Sequence, residues 1–315
     1  MKSVRGKANN IHPVWKIFML VLLMLLSSFF VVIFYGLVCG TRQDLAALKF
    51  LQTLQTVCVF VLPCLLCAYL WDVHPMHYLQ MDRLPSVVVA CFTVLTMLLA
   101  LPGINLLSWC NQQIQLPGFL AGVEQWMQTQ ENNAAVLTER FIKADTVGVL
   151  FANLFIMALL PAVGEELCFR GVIQKLFQPA VLSRGGKQIS KTAIHLSVWV
   201  SAILFSAMHL QFYGFVPRML LGAFFGYLLV WSGSLWLPVL AHFTNNAMAV
   251  LLYNCYYMRG ISTDEIDMFG AGPTLWVGCV SIAVTLFCIW GVYRLCHGRK
   301  LPYRVSRCTS RNPRK

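Results

Sequence analysis

Residues 161–178 read PAVGEELCFRGVIQKLFQ, and the rest of the chain is organised around them. The stretch follows a strongly apolar run, Val147 to Leu160, and a second apolar run comes after it. Two adjacent carboxylates and an arginine are expensive in such a segment: a single charge at the centre of a bilayer costs from about 2.5–3.5 kcal/mol upward. Residues kept there at that cost must find partners, and they mark a candidate site. Helical spacing supplies one partner. Glu166 and Arg170 are i, i+4 with the acid N-terminal, the better orientation for an ion pair. Glu165 lies about 100° round the helix from its neighbour, so Arg170 cannot easily serve both acids. One carboxylate is tied down and the other is left free.

Composition fixes the class. Of the 315 residues 58% are hydrophobic and 11% charged, whereas a soluble domain carries about 25% charged residues. The fold expected is all-α: a polytopic membrane protein of about eight transmembrane helices. The net charge of +12 does not point to nucleic acid, because the basic residues gather at the two ends of the chain and not in a stripe interleaved with aromatics. Membrane orientation explains them better. Most of the twelve cysteines fall inside apolar runs and act there as small hydrophobes. Cys64 and Cys67 form a CxxC in mid-helix with no second pair, so neither a metal nor a redox role is assigned to them.

The apolar runs predict spans over about Ile17–Val38, Leu45–Trp71 with Pro63 as a kink, Leu84–Trp109, Thr146–Phe177, Ile194–Leu210, Phe215–Trp231, Leu235–Tyr257 and Leu275–Leu295. The first run is too long for the apolar part of a signal peptide. Residues 110–145 are amphipathic and predict one or two interfacial helices. No internal repeat is present. Basic residues precede the first span, follow the last and occupy the loop SRGGKQISK, while the acids Asp264, Glu265 and Asp267 and the segment 110–145 lie on the other side. By the positive-inside rule both termini are cytoplasmic.

Two more polar clusters interrupt apolar spans: Phe205 with His209, and His242 with Asn246, each pair i, i+4 on one helix face. A lone histidine in an apolar span is more often structural. Three spans that each contribute an acid, an imidazole or an amide suggest one shared polar site, since buried polar groups avoid their desolvation cost only by meeting. His74, His77 and His195 read as link or interfacial residues. Arg218 either neutralises a site carboxylate or snorkels to the surface.

The EExxxR of Glu165, Glu166 and Arg170, the FxxxH of Phe205 and His209, and the HxxxN of His242 and Asn246 resemble the three motifs of the CPBP intramembrane proteases. That family, also called Abi, includes the type II CAAX-prenyl endopeptidases. The resemblance covers about residues 161–250, with no departure at any motif position. It implies helices around an intramembrane catalytic cavity and hydrolysis of a peptide bond in a membrane-associated protein or peptide. By the same resemblance Glu165 activates water with help from His209, and His242 and Asn246 stabilise the oxyanion. Glu166, Arg170 and Phe205 give structural and electrostatic support. The implied division is 1–145, three spans plus the interfacial segment 110–145; 146–258, a catalytic core; and 259–315, the last span and a basic tail. No cofactor is expected. The alternative is one Zn²⁺ on Glu165, His209 and His242, one carboxylate and two imidazoles. A transporter or a non-catalytic immunity or scaffold protein on the same fold are further alternatives; the absence of repeat symmetry counts against the first. The partners expected are the bilayer and the substrate, not nucleic acid, and the expected location is a bacterial cytoplasmic membrane.

One feature of the spacing is awkward. His209 lies about fifteen residues into its span, or roughly 22 Å, whereas His242 lies only about seven into its own. The two can meet only if the span of His209 starts outside the hydrocarbon or tilts strongly; QFYGFVP (211–217) then has to line the cavity, where irregular backbone is tolerated.

Overall fold

The computed structural model describes residues 4–178, 191–262 and 264–297; their regular secondary structure is helical, with no strand among them. The helices used below are α1 (Pro13–Cys39), α2 (Leu45–Trp71), α3 (Val87–Gln112), α4 (Ala121–Ile142), α5 (Val147–Phe177), α6 (Lys191–Ala207), α7 (Phe215–Ser232), α8 (Trp236–Met258) and α9 (Leu275–His297). Every expected span coincides with a helix, and α4 is the amphipathic segment. By length and apolarity six helical segments suffice to cross a membrane. The other two fall short for different reasons: α6 has only 17 residues, and α8 is long enough but carries His242, Asn245, Asn246 and Asn254. The loop SRGGKQISK, apart from its last residue, and the basic tail lie outside the described residues.

Helix ends follow local chemistry. The side chains of Asp44, Ser86 and Thr146 accept from the backbone N–H groups of Ala47, Val89 and Val149, which starts α2, α3 and α5. The Ala47 N–H and Arg42 together hold the Asp44 carboxyl below its ordinary range. Gly233 ends α7 at φ 65°, the left-handed position that glycine takes without a Cβ clash.

α2 and α5 are not uniform α-helices. Each widens into π-helical turns, at Thr56–Val61 in α2 and at Leu154–Leu159 and Leu167–Ile173 in α5. Pro63 and Pro161 each follow a widened turn by two residues. A helical proline lacks an N–H and collides with the carbonyl four residues back. Here those carbonyls belong to Val59 and Met157, inside the widened turns, which relieves the collision. Gly164 then lets α5 approach the α2 turn: a Cβ at this position would stand 2.9 Å from Thr56 Cγ2.

α3 and α9 run against each other, pinned by Ser281, whose hydroxyl donates to the Leu99 carbonyl (2.6 Å) and accepts from the Gly103 N–H (3.0 Å). α8 is central, in contact with α3, α5 and α7. Cys64 and Cys67 are fully buried in the apolar core that α2 shares with α5.

Candidate active site

α5 supplies the acids. Glu166 and Arg170 are completely buried and joined through Oε1 and Nη1 at 2.7 Å. The guanidinium is enclosed further. Nη2 donates to the Gly222 carbonyl of α7 (2.9 Å), and the rings of Phe205, Phe225 and Phe169 lie 4.5, 5.4 and 5.9 Å from Cζ. Gln174, one turn on, donates to the Gly226 carbonyl in the same way (3.3 Å). Gly222 and Gly226 are required for this approach: a Cβ on Gly226 would stand 2.8 Å from Gln174 Oε1.

Glu165 is placed differently. Its Oε2 lies 3.9 Å from Nε2 of His209 and 3.9 Å from Nε2 of His242. That oxygen is buried and accepts no hydrogen bond among the described residues. The free and the tied acid therefore stand side by side on one helix.

Hydrogen bonds fix both imidazoles. His209 Nδ1 donates to the Phe205 carbonyl (2.8 Å); a carbonyl only accepts, so the proton is on Nδ1. His242 Nδ1 bonds Glu166 Oε1 (2.8 Å). In their neutral forms both rings thus turn an Nε2 lone pair towards Glu165. The contact between His242 and Glu166 was not legible in the sequence: the two are 76 residues apart, and no spacing rule reaches across helices. Glu166 serves His242 as well as Arg170.

His209 does not lie within its helix, as the expected span Ile194–Leu210 had it. α6 stops at Ala207, and His209 stands in the turn beyond it, followed by Leu210 at φ 52°. A branched side chain rarely takes this left-handed conformation. The irregular segment continues to Gly214, where α7 is capped. The helix ends early, and the turn beyond it sets His209 Nε2 3.9 Å from Glu165 Oε2. Asn111 of α3 holds this turn from behind, donating to the Phe212 carbonyl (2.8 Å) and accepting from the Val216 N–H (3.3 Å).

His209, His242, Asn245, Asn246 and Arg218 line one cavity of about 210 Å³. Asn246 Oδ1 accepts from Asn245 Nδ2 (3.3 Å). Phe205 packs edge-on to both imidazoles, with ring centres at 5.0 and 5.7 Å. Of the residues given structural readings, His77 contacts Asp82 (2.8 Å) and His195 contacts Tyr227 (2.7 Å), away from this cavity.

A zinc ion on Glu165, His209 and His242 would need their ligand atoms drawn closer together. Bonds of about 2.0–2.2 Å in a tetrahedral site put neighbouring ligand atoms about 3.3–3.6 Å apart. Glu165 Oε2 is 3.9 Å from each Nε2, a few tenths of an ångström wider.

Known proteins resemble the part of the chain that carries these residues. Among curated proteins, an uncharacterised protein of Bacillus subtilis (strain 168), YpbD, is 24% identical over 117 residues, which cover 36% of this chain and 52% of the relative. The chain thus spans about half the length of that relative. No solved structure matches. Residues 147–248 match the family model for type II CAAX prenyl endopeptidase Rce1-like proteins. This segment holds every residue of EExxxR, FxxxH and HxxxN, so over its length the chain is similar to the Rce1-like CAAX protease family.

Proposed function

We propose that this protein is an intramembrane endopeptidase in which Glu165 activates the attacking water. The observation that carries the reading is Glu165 Oε2, buried and undonated, set 3.9 Å from two imidazole nitrogens beside the cavity. Glu165 takes a proton from water as the oxygen attacks the scissile carbonyl carbon, and His209 Nε2 orients that water by accepting its second O–H. The negative charge that develops on the carbonyl oxygen meets the amide N–H groups of Asn246. Asn245 supports this by engaging Asn246 Oδ1, which leaves the Asn246 nitrogen free to donate. His242 can join as a donor only when doubly protonated, because Nδ1 is already directed at Glu166. Glu165 then returns its proton to the amine nitrogen, the C–N bond breaks, and a carboxylic acid and a free amine leave; the acid passes its remaining proton to His209 Nε2 or to solvent.

The substrate is proposed to be a membrane-associated peptide or protein, and a prenylated CAAX peptide is the first to try, by similarity to the family. Purified protein in nanodiscs should cleave such a peptide, and Glu165→Gln should lower the rate by about 10²–10⁴-fold, the usual worth of a general base, with thermal stability unchanged. Cleavage should also survive exhaustive chelation. Activity that is lost on chelation and restored by Zn²⁺ would sink the metal-free mechanism.

We further propose residues 146–258 as the catalytic core and a bacterial cytoplasmic membrane as the location, with both termini cytoplasmic. Labelling of single cysteines from outside should then reach residues 110–145 and spare position 305; the opposite pattern inverts the topology.

A further inference from the structure

Arg218 lines the cavity from the first turn of α7. Its guanidinium folds back over Gly214, where a Cβ would stand 3.0 Å from Nη2. Nη1 donates to the Gln211 carbonyl (3.1 Å) and Nη2 to Gln211 Oε1 (2.7 Å). Both acceptors are neutral. Among the described residues no carboxylate reaches ion-pair distance, and Glu131 and Glu165 act on Arg218 only through space. Arg170 is the contrast, enclosed by a carboxylate, a carbonyl and three aromatic rings. Arg218 keeps most of its donor fan, and its whole charge, facing the cavity, a costly arrangement inside a membrane protein unless an anion arrives.

We propose that Arg218 is a carboxylate-binding subsite: a carboxylate of the peptide substrate docks on its guanidinium and sets which peptide bond lies beside Glu165. The proposal rests on the endopeptidase reading, because the anionic groups of a peptide are carboxylates. A planar guanidinium matches a carboxylate with two parallel N–H···O bonds. The plane is oriented by Gln211, two residues after His209 on the same irregular turn. Docking at Arg218 therefore registers the substrate against the segment that carries His209. Two sources of the carboxylate are available, the end of a chain or an Asp or Glu side chain.

The test measures binding, so that it does not depend on cleavage. Glu165→Gln protein in nanodiscs of zwitterionic lipid is titrated with fluorescent peptides of one sequence. One pair differs as C-terminal acid against C-terminal amide, the other as internal Asp against Asn. The expected result is that one carboxylate peptide binds about tenfold more tightly than its neutral counterpart, the scale of a charge-assisted contact. Adding Arg218→Gln should reduce that preference below about twofold, while Arg218→Lys should keep part of it. The pair that responds identifies the source. Equal binding within both pairs, no binding of any peptide, or a preference that survives Arg218→Gln overturns the subsite. Thermal unfolding confirms that each variant folds, and Arg218→Lys carries the comparison if the glutamine variant does not. Wild-type protein that shows the preference but cleaves nothing overturns the endopeptidase reading and leaves the subsite standing; cleavage without preference does the reverse.

Discussion

α1 and the second half of α5 invert the rule that holds for soluble proteins. α1 is the more apolar of the two over its whole length, yet only Leu20 and Val31 of its 27 residues are buried. In α5 from Pro161 onward most side chains are buried, and among them are Glu166, Arg170 and Gln174 at zero exposure. Lipid is as good a solvent as protein for a leucine, so apolar side chains gain little by turning inward. A charge has no such choice, and it is buried where it finds partners. α1 thus turns apolar side chains outward, while the second half of α5 carries its charged and amide side chains inward.

The sharpest test of that contrast is Glu166→Gln. It strands Arg170 inside its aromatic enclosure and weakens the support of His242, and breaking one side of a buried pair costs about 3–5 kcal/mol. The expected result is low yield and a large drop in thermal stability in detergent, partly restored when Arg170→Met is added. If Glu166→Gln is instead stable but inactive while Glu165→Gln unfolds, the two acids have exchanged roles.

A smaller effect is expected from the glycines of α7. A Cβ on Gly222 would meet Phe205 Cδ1 at 3.1 Å and Arg170 Nη2 at 3.2 Å, and one on Gly226 would meet Val198 Cγ1 at 3.0 Å. Gly222→Ala and Gly226→Ala should each destabilise by about 1–3 kcal/mol, as overpacking does, and should lower cleavage with stability. Thermal melts and initial rates measured together would show this; melts as high as wild type would mean that α7 does not approach α5 so closely.

The smallest effect serves as the control. Gly36 sits in α1 with nothing within 4 Å of where a Cβ would be. Gly36→Ala should be neutral or stabilise by up to about 1 kcal/mol through helix propensity. A clear loss in the melt would show that this face of α1 is packed against something, and would break the comparison.

Much of this was legible from residue order. Apolar runs of the right length located the helices, because a bilayer sets their length. The spacing of Glu166 and Arg170 announced their pairing, because both lie on one helix and i, i+4 neighbours must meet. The expected distortion near QFYGFVP was legible as well, though not its form: the helix ends at Ala207 and the break begins before His209. Of the widened turns only that of α2 was signalled, by Pro63, which predicts a disturbance without saying what kind.

What no pattern along the chain could decide was contact between helices. That His242 bonds Glu166, that Phe205, Phe225 and Phe169 surround Arg170, and that Arg218 bonds Gln211 while facing the cavity all depend on the angles and depths at which α5, α6, α7 and α8 pack. The sequence by itself determined the all-helical membrane class, the segments that form apolar helices and the charged residues that need partners, since bilayer thickness and helical period are local constraints. Only the tertiary structure decided which partner each received, because a hydrogen bond between helices depends on their rotation and offset, and those are settled by side-chain packing over the whole bundle.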